Sequence, residues 1–541
     1  MRQLTGHEAS FLYSDTTHSN SNVTILQIYD QSTAPGGKVR FKSVLAHVES
    51  RLDRSPIFRS KVMRMPLELT YPYWIEDENF DLEYHVRHIA LPKPGNWRQF
   101  CIQASRIHAR PLDLNRPLWE IYVMEGLDSF VDLPPGSFAL LIKIHHAAID
   151  LEQGGDISHL LQDLSPLKPE PEPPKPWFPK ASPGKMKLLW QGVQMMACQP
   201  FRMAPPIQRA FVKLAPMAVN FVRDMLADPA TMTTTRFNSV VSTYRVFDTR
   251  RFRLDQFKQI RGLVPGSTVN DVAIAVCAGA LRGYLEVKNE LPSGSLTAVA
   301  PVYLRGGDTA SGSSRKVSWV RVTLGTDVED PVERLRKIHQ QTRASTVIAK
   351  AIRADELTDV ARHAPAATLA LASKILAKAA TDMGTHMPMA NCTLTNVPGS
   401  SKPLYLLGAR MTYFSAIMPI SDGMGLVLAI TSYDGWLVIS PTSCRYLMPD
   451  PEVFSQYLRD SFQAYLALAE TRAPVAKIKA PAAKAKASAA KIKVPAAKVK
   501  AAAPRASAAG KPAPAARPAR KASTAPRPAR AGRPRSKAPS D

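Results

Sequence analysis

The stretch SFALLIKIHHAAIDLEQGG (137–155) sets two adjacent imidazoles, His145 and His146, at the end of an alternating apolar run, with the carboxylate of Asp150 four residues on. Successive side chains of a strand point to opposite faces, so only one of the two rings can face a given cavity. A neutral imidazole near pH 7 can take a proton from a hydroxyl when its other nitrogen is held as a donor. Asp150 lies one turn on if a helical turn begins here. It can orient the region through the imidazole or by pairing with an arginine elsewhere. Two histidines and an aspartate are also metal-ligand types, but adjacent strand histidines diverge and cannot both grip one ion, so no metal is expected. A hydrogen-bonded histidine pair closing a sheet end fits the same letters. Taken alone, the motif leaves catalysis and architecture both open.

The usual signatures of other catalysts are missing. The chain contains no G-x-S-x-G elbow, no H-E-x-x-H, no P-loop and no G-x-G-x-x-G. Serine hydrolase, zinc protease, NTPase and dinucleotide-binding readings lose their support. Cys101, Cys198, Cys277, Cys392 and Cys444 are scattered without a C-x-x-C pair, which reads as reduced thiols. The elements that must position the histidines read as mixed. SNVTILQIYD (21–30) and SFALLIKI (137–144) alternate like half-buried strands, and RFKSVLAHVESRLDRSPIFRSKV (40–62) opens with a helical period. Further on, STVNDVAIAVCAGALRGYLEVK (267–288) predicts a helix with a polar start. SLTAVAPVYLR (295–305) and KVSWVRVTLGTD (316–327) predict strands, and PVERLRKIHQQTRAS (331–345) a helix opened by proline. GLVLAITSYDGWLVISPT (425–442) predicts a hairpin turning at Asp434-Gly435. Without strict β-α-β alternation, the class is α/β with largely mixed sheets.

With 541 residues, 45% hydrophobic and 21% charged, the chain is long enough for two lobes and appendages. Its net charge of +25 is unevenly placed. Residues 471–541 hold 19 Lys and Arg against one acid, Asp541, whereas the other 470 residues carry 51 basic and 44 acidic side chains. That Ala/Lys/Pro/Arg tail repeats KIKAPAAKAK (477–486) as KIKVPAAKVK (491–500) and has too few large apolar residues to offset ordering entropy. It is expected to be disordered, either as an arm for polyanions or as a solubilising tail. A proline-rich run, LSPLKPEPEPPKPWFPKASPG (164–184), separates an N-terminal lobe (1–165) from a C-terminal lobe (236–470). The linker (166–235) includes 185–226, where six Lys and Arg meet one acid, Asp224, among Trp, Met, Phe and Leu. It reads as basic amphipathic helices, lying on a lipid surface or packed across the lobes. No apolar window is long enough to span a bilayer and the first residues lack a signal-peptide pattern, so a cytoplasmic protein is expected.

Several ordered blocks resemble the bacterial wax ester synthase/diacylglycerol acyltransferase family, a branch of the CoA-dependent acyltransferases with an H-H-x-x-x-D-G motif. The blocks run from about Leu4 to Leu468. They include SPIFRSKV (55–62), WIEDENFDLEYHVRHIALPKPG (74–95), PLDLNRPLWEIYVMEGL (111–127), HHAAID (145–150), TVNDVAIAV (268–276), APVYLR (300–305), NVPGSSKPLYLLGA (396–409) and SYDGWL (432–437). The resemblance implies two chloramphenicol-acetyltransferase-like lobes with a tunnel between them. Acyl-CoA would be the donor, and diacylglycerol or a long-chain fatty alcohol the acceptor, with no other cofactor. It also implies peripheral association with the inner membrane or lipid droplets. His146 becomes the expected general base, His145 a residue packed or hydrogen-bonded behind it, and Asp150 the group that fixes the loop. Asn270 and Asp271 match the family's second motif, either capping a helix or placing a polar group near the intermediate. Trp119 of the Pro117-Leu118-Trp119 block is expected in the core or the tunnel wall. Two departures stand out: Leu151 replaces the motif's closing glycine, with Gly154 and Gly155 following, and Ser314-Arg315 replaces a Gly-Asn pair. The alternative reading keeps the fold as a low-activity or non-catalytic scaffold binding lipid droplets or polyanions. The letters say nothing about oligomeric state.

Overall fold

The computed structural model of the chain describes residues 1–65, 70–130, 133–149, 160–167, 177–180, 233–304, 316–351 and 390–472, with isolated positions at 184, 186, 190 and 194. Asp150, Leu151, Gly154, Gly155 and Ser314-Arg315, most of 166–232 and the tail after Arg472 lie outside the described residues. Met1–Ala476 forms one compact unit. Its N-terminal half provides strands β1 (Arg2–Gln3), β2 (Asn22–Asp30), β3 (Ser60–Met63), β4 (Tyr73–Glu76), β5 (Val86–Ala90), β6 (Trp119–Glu125) and β7 (Phe138–His145). Its helices are α1 (Gly6–Ser14), α2 (Phe41–Glu49), α3 (Leu82–His85) and α4 (Trp97–Ala109). The C-terminal half adds β8 (Arg245–Phe247), β9 (Arg250–Arg253), β10 (Thr297–Leu304), β11 (Lys316–Thr323), β12 (Cys392–Pro398), β13 (Tyr405–Leu406), β14 (Ala409–Ile417), β15 (Leu426–Tyr433) and β16 (Trp436–Cys444). Helices α5 (Leu254–Ile260), α6 (Val269–Val287), α7 (Pro331–Ala351) and α8 (Pro451–Arg472) complete it.

Two large mixed sheets result. One runs β13-β14-β2-β7-β6-β5, and the other β11-β10-β12-β15-β16-β8 with β9 also on β16. Most pairs are antiparallel, but β5 runs parallel to β6, and β12 runs parallel to both β10 and β15. The mixed α/β class expected from the sequence is present. A small sheet, β1-β4-β3, stands apart. The hairpin of β15 and β16 turns at Asp434 and Gly435, both at positive φ (45° and 79°), the geometry that suits the right-handed twist of the flanking strands.

The sequence reading of β2 and β7 as half-buried strands is corrected. All eight residues of β7 and eight of nine in β2 are buried. These strands are the centre of the six-stranded sheet and are covered on both faces. Val23, Ile25 and Tyr29 of β2, with Leu140, Ile142 and Ile144 of β7, pack with Ala9, Leu12 and Tyr13 of α1 and Val44 and Val48 of α2. On the opposite face, Leu26, Ile28, Ala139 and Leu141 pack against Phe100, Ala104 and Ile107 of α4. Several of the polar residues that mimic a solvent face find partners inside. Thr24 Oγ1 meets His108 Nδ1 at 3.0 Å, and Asn22 Nδ2 donates to the Arg110 carbonyl at 3.3 Å. The fully buried Lys143 donates to the Ile107 carbonyl at 3.0 Å and to that of Arg110, closing the C-terminal end of α4.

The chain from 236 to 470 does not keep to one sheet. β14 pairs along β2 from Arg410–Asp30 to Ile417–Thr24, with a register shift between Met411 and Tyr413. It is pinned from the other sheet: the Ser415 and Ser440 hydroxyls meet at 2.6 Å, and Thr431 Oγ1 donates to the Phe414 carbonyl at 2.9 Å. One segment of the C-terminal block thus completes the sheet that carries the histidines.

Candidate active site

β7 delivers the histidine pair. His145 is its last residue, paired with Asn22 of β2, and its amide donates to the Leu118 carbonyl at 3.0 Å. The chain then leaves the sheet as a single 3-10 turn, His146–Ala148. The His146 amide donates to the Ser21 carbonyl at 2.8 Å. Backbone ladder and turn together fix the two rings on different sides.

The rings have different surroundings. His145 is 1% exposed; its Nδ1 accepts from the Ala147 amide at 3.1 Å, so Nε2 carries the proton and donates to Asp15 Oδ2 at 2.9 Å. The other Asp15 oxygen accepts the Ser21 amide at 2.8 Å. Asp15 therefore ties together the ring of His145 and the residue whose carbonyl holds His146. His146 is half-buried, its ring stacked on Phe11 of α1 with centroids 4.0 Å apart and planes within 15°. Phe11 also meets His7, edge-on at 5.0 Å. The capping box of Thr5 and Glu8 starts α1 and so sets where Phe11 stands.

The Nδ1 atom of His146 is buried and has no hydrogen-bond partner among the described residues. Desolvation lowers the pKa of this imidazole from 6.5 to about 4. Its own carbonyl oxygen opposes the shift without meeting hydrogen-bond geometry, while His7 and His145 reinforce it. At neutral pH the ring is uncharged, with a lone pair to offer in a dry setting. That is the state a general base needs, in contrast to His145, whose two nitrogens are committed.

Two family models match the chain: the wax ester synthase/diacylglycerol acyltransferase catalytic domain over residues 4–273, and the WS/DGAT C-terminal domain over residues 315–465. A Mycobacterium tuberculosis protein, provisionally described as a diacylglycerol O-acyltransferase, is 30% identical over 453 residues, covering 83% of this chain and 87% of that protein. The chain belongs to the wax ester synthase/diacylglycerol acyltransferase family. It is also similar to the O-acyltransferase WSD of Acinetobacter baylyi, 29% identical over 73% of this chain and 83% of that one. The wax ester synthase/diacylglycerol acyltransferase of Marinobacter aquaeolei has a similar fold, with a TM-score of 0.60 at 24% identity, covering 86% of this chain and all of that one. The chain is thus an acyltransferase by family, and the resemblance read from its blocks is borne out.

The other expected site residues fall in different places. Asp150 lies outside the described residues. Trp119 is wholly buried, its Nε1 donating to the Phe58 carbonyl at 3.0 Å and its ring stacked on His85 at 4.5 Å. Asp271 is the third residue of a capping box. Its carboxylate accepts from the Thr268 amide at 2.8 Å and the Thr342 hydroxyl at 2.8 Å, and meets His339 Nδ1 at 3.0 Å. Asp271 thereby joins the start of α6 to α7, while Asn270 beside it is exposed. The structure does not bring either residue into contact with the histidine pair through any hydrogen bond among the described residues. Among those residues no cluster of His, Cys, Asp and Glu is arranged to hold a metal ion. The four cysteines described, Cys101, Cys277, Cys392 and Cys444, are free and buried.

Sequence reasoning missed Asp15, Phe11 and Ser21. The only local signal is the Thr5-x-x-Glu8 box announcing α1. That Phe11 and Asp15 then meet a strand 130 residues later is a tertiary fact with no trace in spacing.

Proposed function

We propose that the chain transfers a long-chain acyl group from acyl-CoA to a lipid hydroxyl, that of diacylglycerol, a long-chain fatty alcohol, or both, with His146 as general base. The uncharged, desolvated imidazole of His146 with its orphan Nδ1 carries this reading. The imidazole takes the proton of the acceptor hydroxyl as its oxygen attacks the thioester carbonyl. The tetrahedral intermediate collapses with cleavage of the C–S bond. The imidazolium then protonates the departing CoA thiolate, which returns the ring to its starting state. No covalent acyl-enzyme is required, because both substrates meet beside one base. Assistance of this kind is worth about 10²–10⁴-fold in rate. A water-poor site also spares the thioester from hydrolysis, in keeping with desolvation as the main cause of the His146 shift.

In this reading, Asp15 and His145 position the turn rather than touch the substrate, and Asp150 fixes the loop that carries His146. Acyl-CoA enters as co-substrate, with no resident cofactor. No helix among the described residues is long and apolar enough to cross a membrane. The basic amphipathic segment 185–226 is the part of the sequence suited to peripheral contact with the inner membrane or a lipid droplet, the surfaces where both acceptors reside. The test offers purified protein palmitoyl-CoA with hexadecanol and dipalmitoylglycerol in competition, and resolves the products by thin-layer chromatography. Wax ester, triacylglycerol or both are expected. Intact palmitoyl-CoA beside both acceptors would overturn the reading.

A further inference from the structure

A cavity of about 950 Å³ opens between α4, with Arg110 and Pro111 that follow it, and the segments 243–250 and 445–452. Its wall holds six arginines against two carboxylates, Asp248 and Glu452. Both acids are already engaged. Asp248 accepts from the Trp97 indole at 2.8 Å and pairs with Arg250 at 3.0 Å, and Glu452 meets Arg98 at 3.3 Å. Arg245 is spent on the carbonyls of His18 and Ser242. That leaves Arg106, Arg110 and Arg445, all exposed and with no carboxylate partner among the described residues. Three unpaired guanidiniums around one opening form a focused positive field, suited to a ligand bearing several phosphate oxygens.

The same rim exposes apolar side chains. Tyr244, in the cavity wall, is 71% exposed, and Ile102 is 42% exposed. An aromatic face beside phosphate-binding guanidiniums fits a purine nucleotide better than a simple phosphate, since the base can stack while the phosphates pair. The cavity also backs onto the histidine loop. Asn20 donates to the Ala109 carbonyl at 3.2 Å and Asn22 to that of Arg110 at 3.3 Å; Asn22 is the strand partner of His145. Thr17 of the cavity wall lies in the same segment as Asp15 and Ser21, the residues that hold His145 and the His146 amide.

We propose that this cavity seats the nucleotide end of the CoA donor, with Arg106, Arg110 and Arg445 binding its phosphates and Tyr244 stacking on its adenine. The proposal rests on the acyl-CoA reading above and names the donor subsite within it. The volume lies at the upper end of the roughly 300–1,000 Å³ usual for small-molecule pockets, in keeping with a large ligand.

The test uses the full chain and free CoA, so that binding is measured without turnover. Isothermal titration compares the wild type with Arg106→Gln, Arg110→Gln, Arg445→Gln, their triple combination and Tyr244→Ser, each checked by circular dichroism. Losing one charge-assisted phosphate contact should weaken CoA about tenfold, and the triple variant should lose about a hundredfold or more. Dephospho-CoA should bind the wild type more weakly than CoA does. In turnover, the triple change should raise KM for palmitoyl-CoA far more than KM for hexadecanol. Arg→Lys at the same positions keeps the charge and should recover part of the affinity. Wild-type CoA affinity in a folded triple variant would overturn the proposal. So would arginine-dependent binding seen only with phosphatidylglycerol vesicles, which would make the rim a headgroup site. A wild-type protein that binds CoA through these arginines yet transfers nothing would sink the acyl-transfer reading and leave the nucleotide site standing.

Discussion

Asp15→Ala is the perturbation that most directly probes how the histidine pair is held. The wild-type carboxylate accepts two hydrogen bonds, from His145 Nε2 at 2.9 Å and from the Ser21 amide at 2.8 Å. Bonds to a charged partner contribute about 1.5–3 kcal/mol each, and a buried donor left without a partner bears its desolvation cost in full. The His145 side chain is 1% exposed, so water cannot replace the lost acceptor, but that of Asp15 is 20% exposed, which favours the lower end of the range. The expected loss is about 3 kcal/mol of stability, read as a fall in the urea midpoint at unchanged m-value. Ser21 also holds the His146 amide at 2.8 Å, so its shift moves the base, and a displacement near 1 Å costs about 10² in rate. The assay follows CoA thiol release from palmitoyl-CoA with hexadecanol under conditions where the variant stays folded. kcat should fall about a hundredfold with little change in KM for palmitoyl-CoA, and Asp15→Asn, which keeps one acceptor oxygen, should be intermediate. A variant with wild-type kcat and midpoint would refute the claim that Asp15 positions the pair.

Three further outcomes are expected. If His146 is the base, its ring pKa of about 4 places the acid limb of kcat/KM well below the usual 6.5, so activity should hold from pH 8 to 5; a limb near 6.5 would contradict this. His47, buried and lowered to about 4 chiefly by desolvation, behaves alike in stability. For both groups the unfolded chain takes up protons from about pH 6.5, while the folded chain does not until about 4. The stability they contribute is therefore present above about 6.5 and lost on acidification, by on the order of 2 kcal/mol per group at pH 5; a urea midpoint unchanged between pH 7 and 5 would count against it. Asp271→Ala removes the acceptor shared by Thr268, Thr342 and His339, so it should destabilise by about 3 kcal/mol and leave kcat per folded molecule near wild type. A stable but inactive variant would instead move Asp271 into the chemistry.

Local features of the fold were readable because they rest on local causes. The Asp434-Gly435 turn, the polar start of α6 at Thr268 and the proline opening α7 are short-range signals, and each element lies where its signal sits. Failures came where tertiary packing decides. Thr24, Gln27 and Lys143 look like a solvent face, yet each is buried, and Thr24 and Lys143 find partners on or just beyond α4. The passage of β14 into the N-terminal sheet depends on hydrogen bonds to β2 from nearly 400 residues away, which no period can reveal. At the site, the strand alternation of His145 and His146 was legible. Which ring is tethered and which stays free is set by Asp15 and Phe11, through contacts across 130 and more residues.

The central claim is that one uncharged imidazole, that of His146, removes the proton from the attacking hydroxyl. Transfer from palmitoyl-CoA to hexadecanol by His146→Ala, with folding verified by circular dichroism, tests it most directly. The account predicts a rate lower by about 10²–10⁴ in a protein that still folds and still binds CoA. A folded His146→Ala protein that makes ester at the wild-type rate would contradict it.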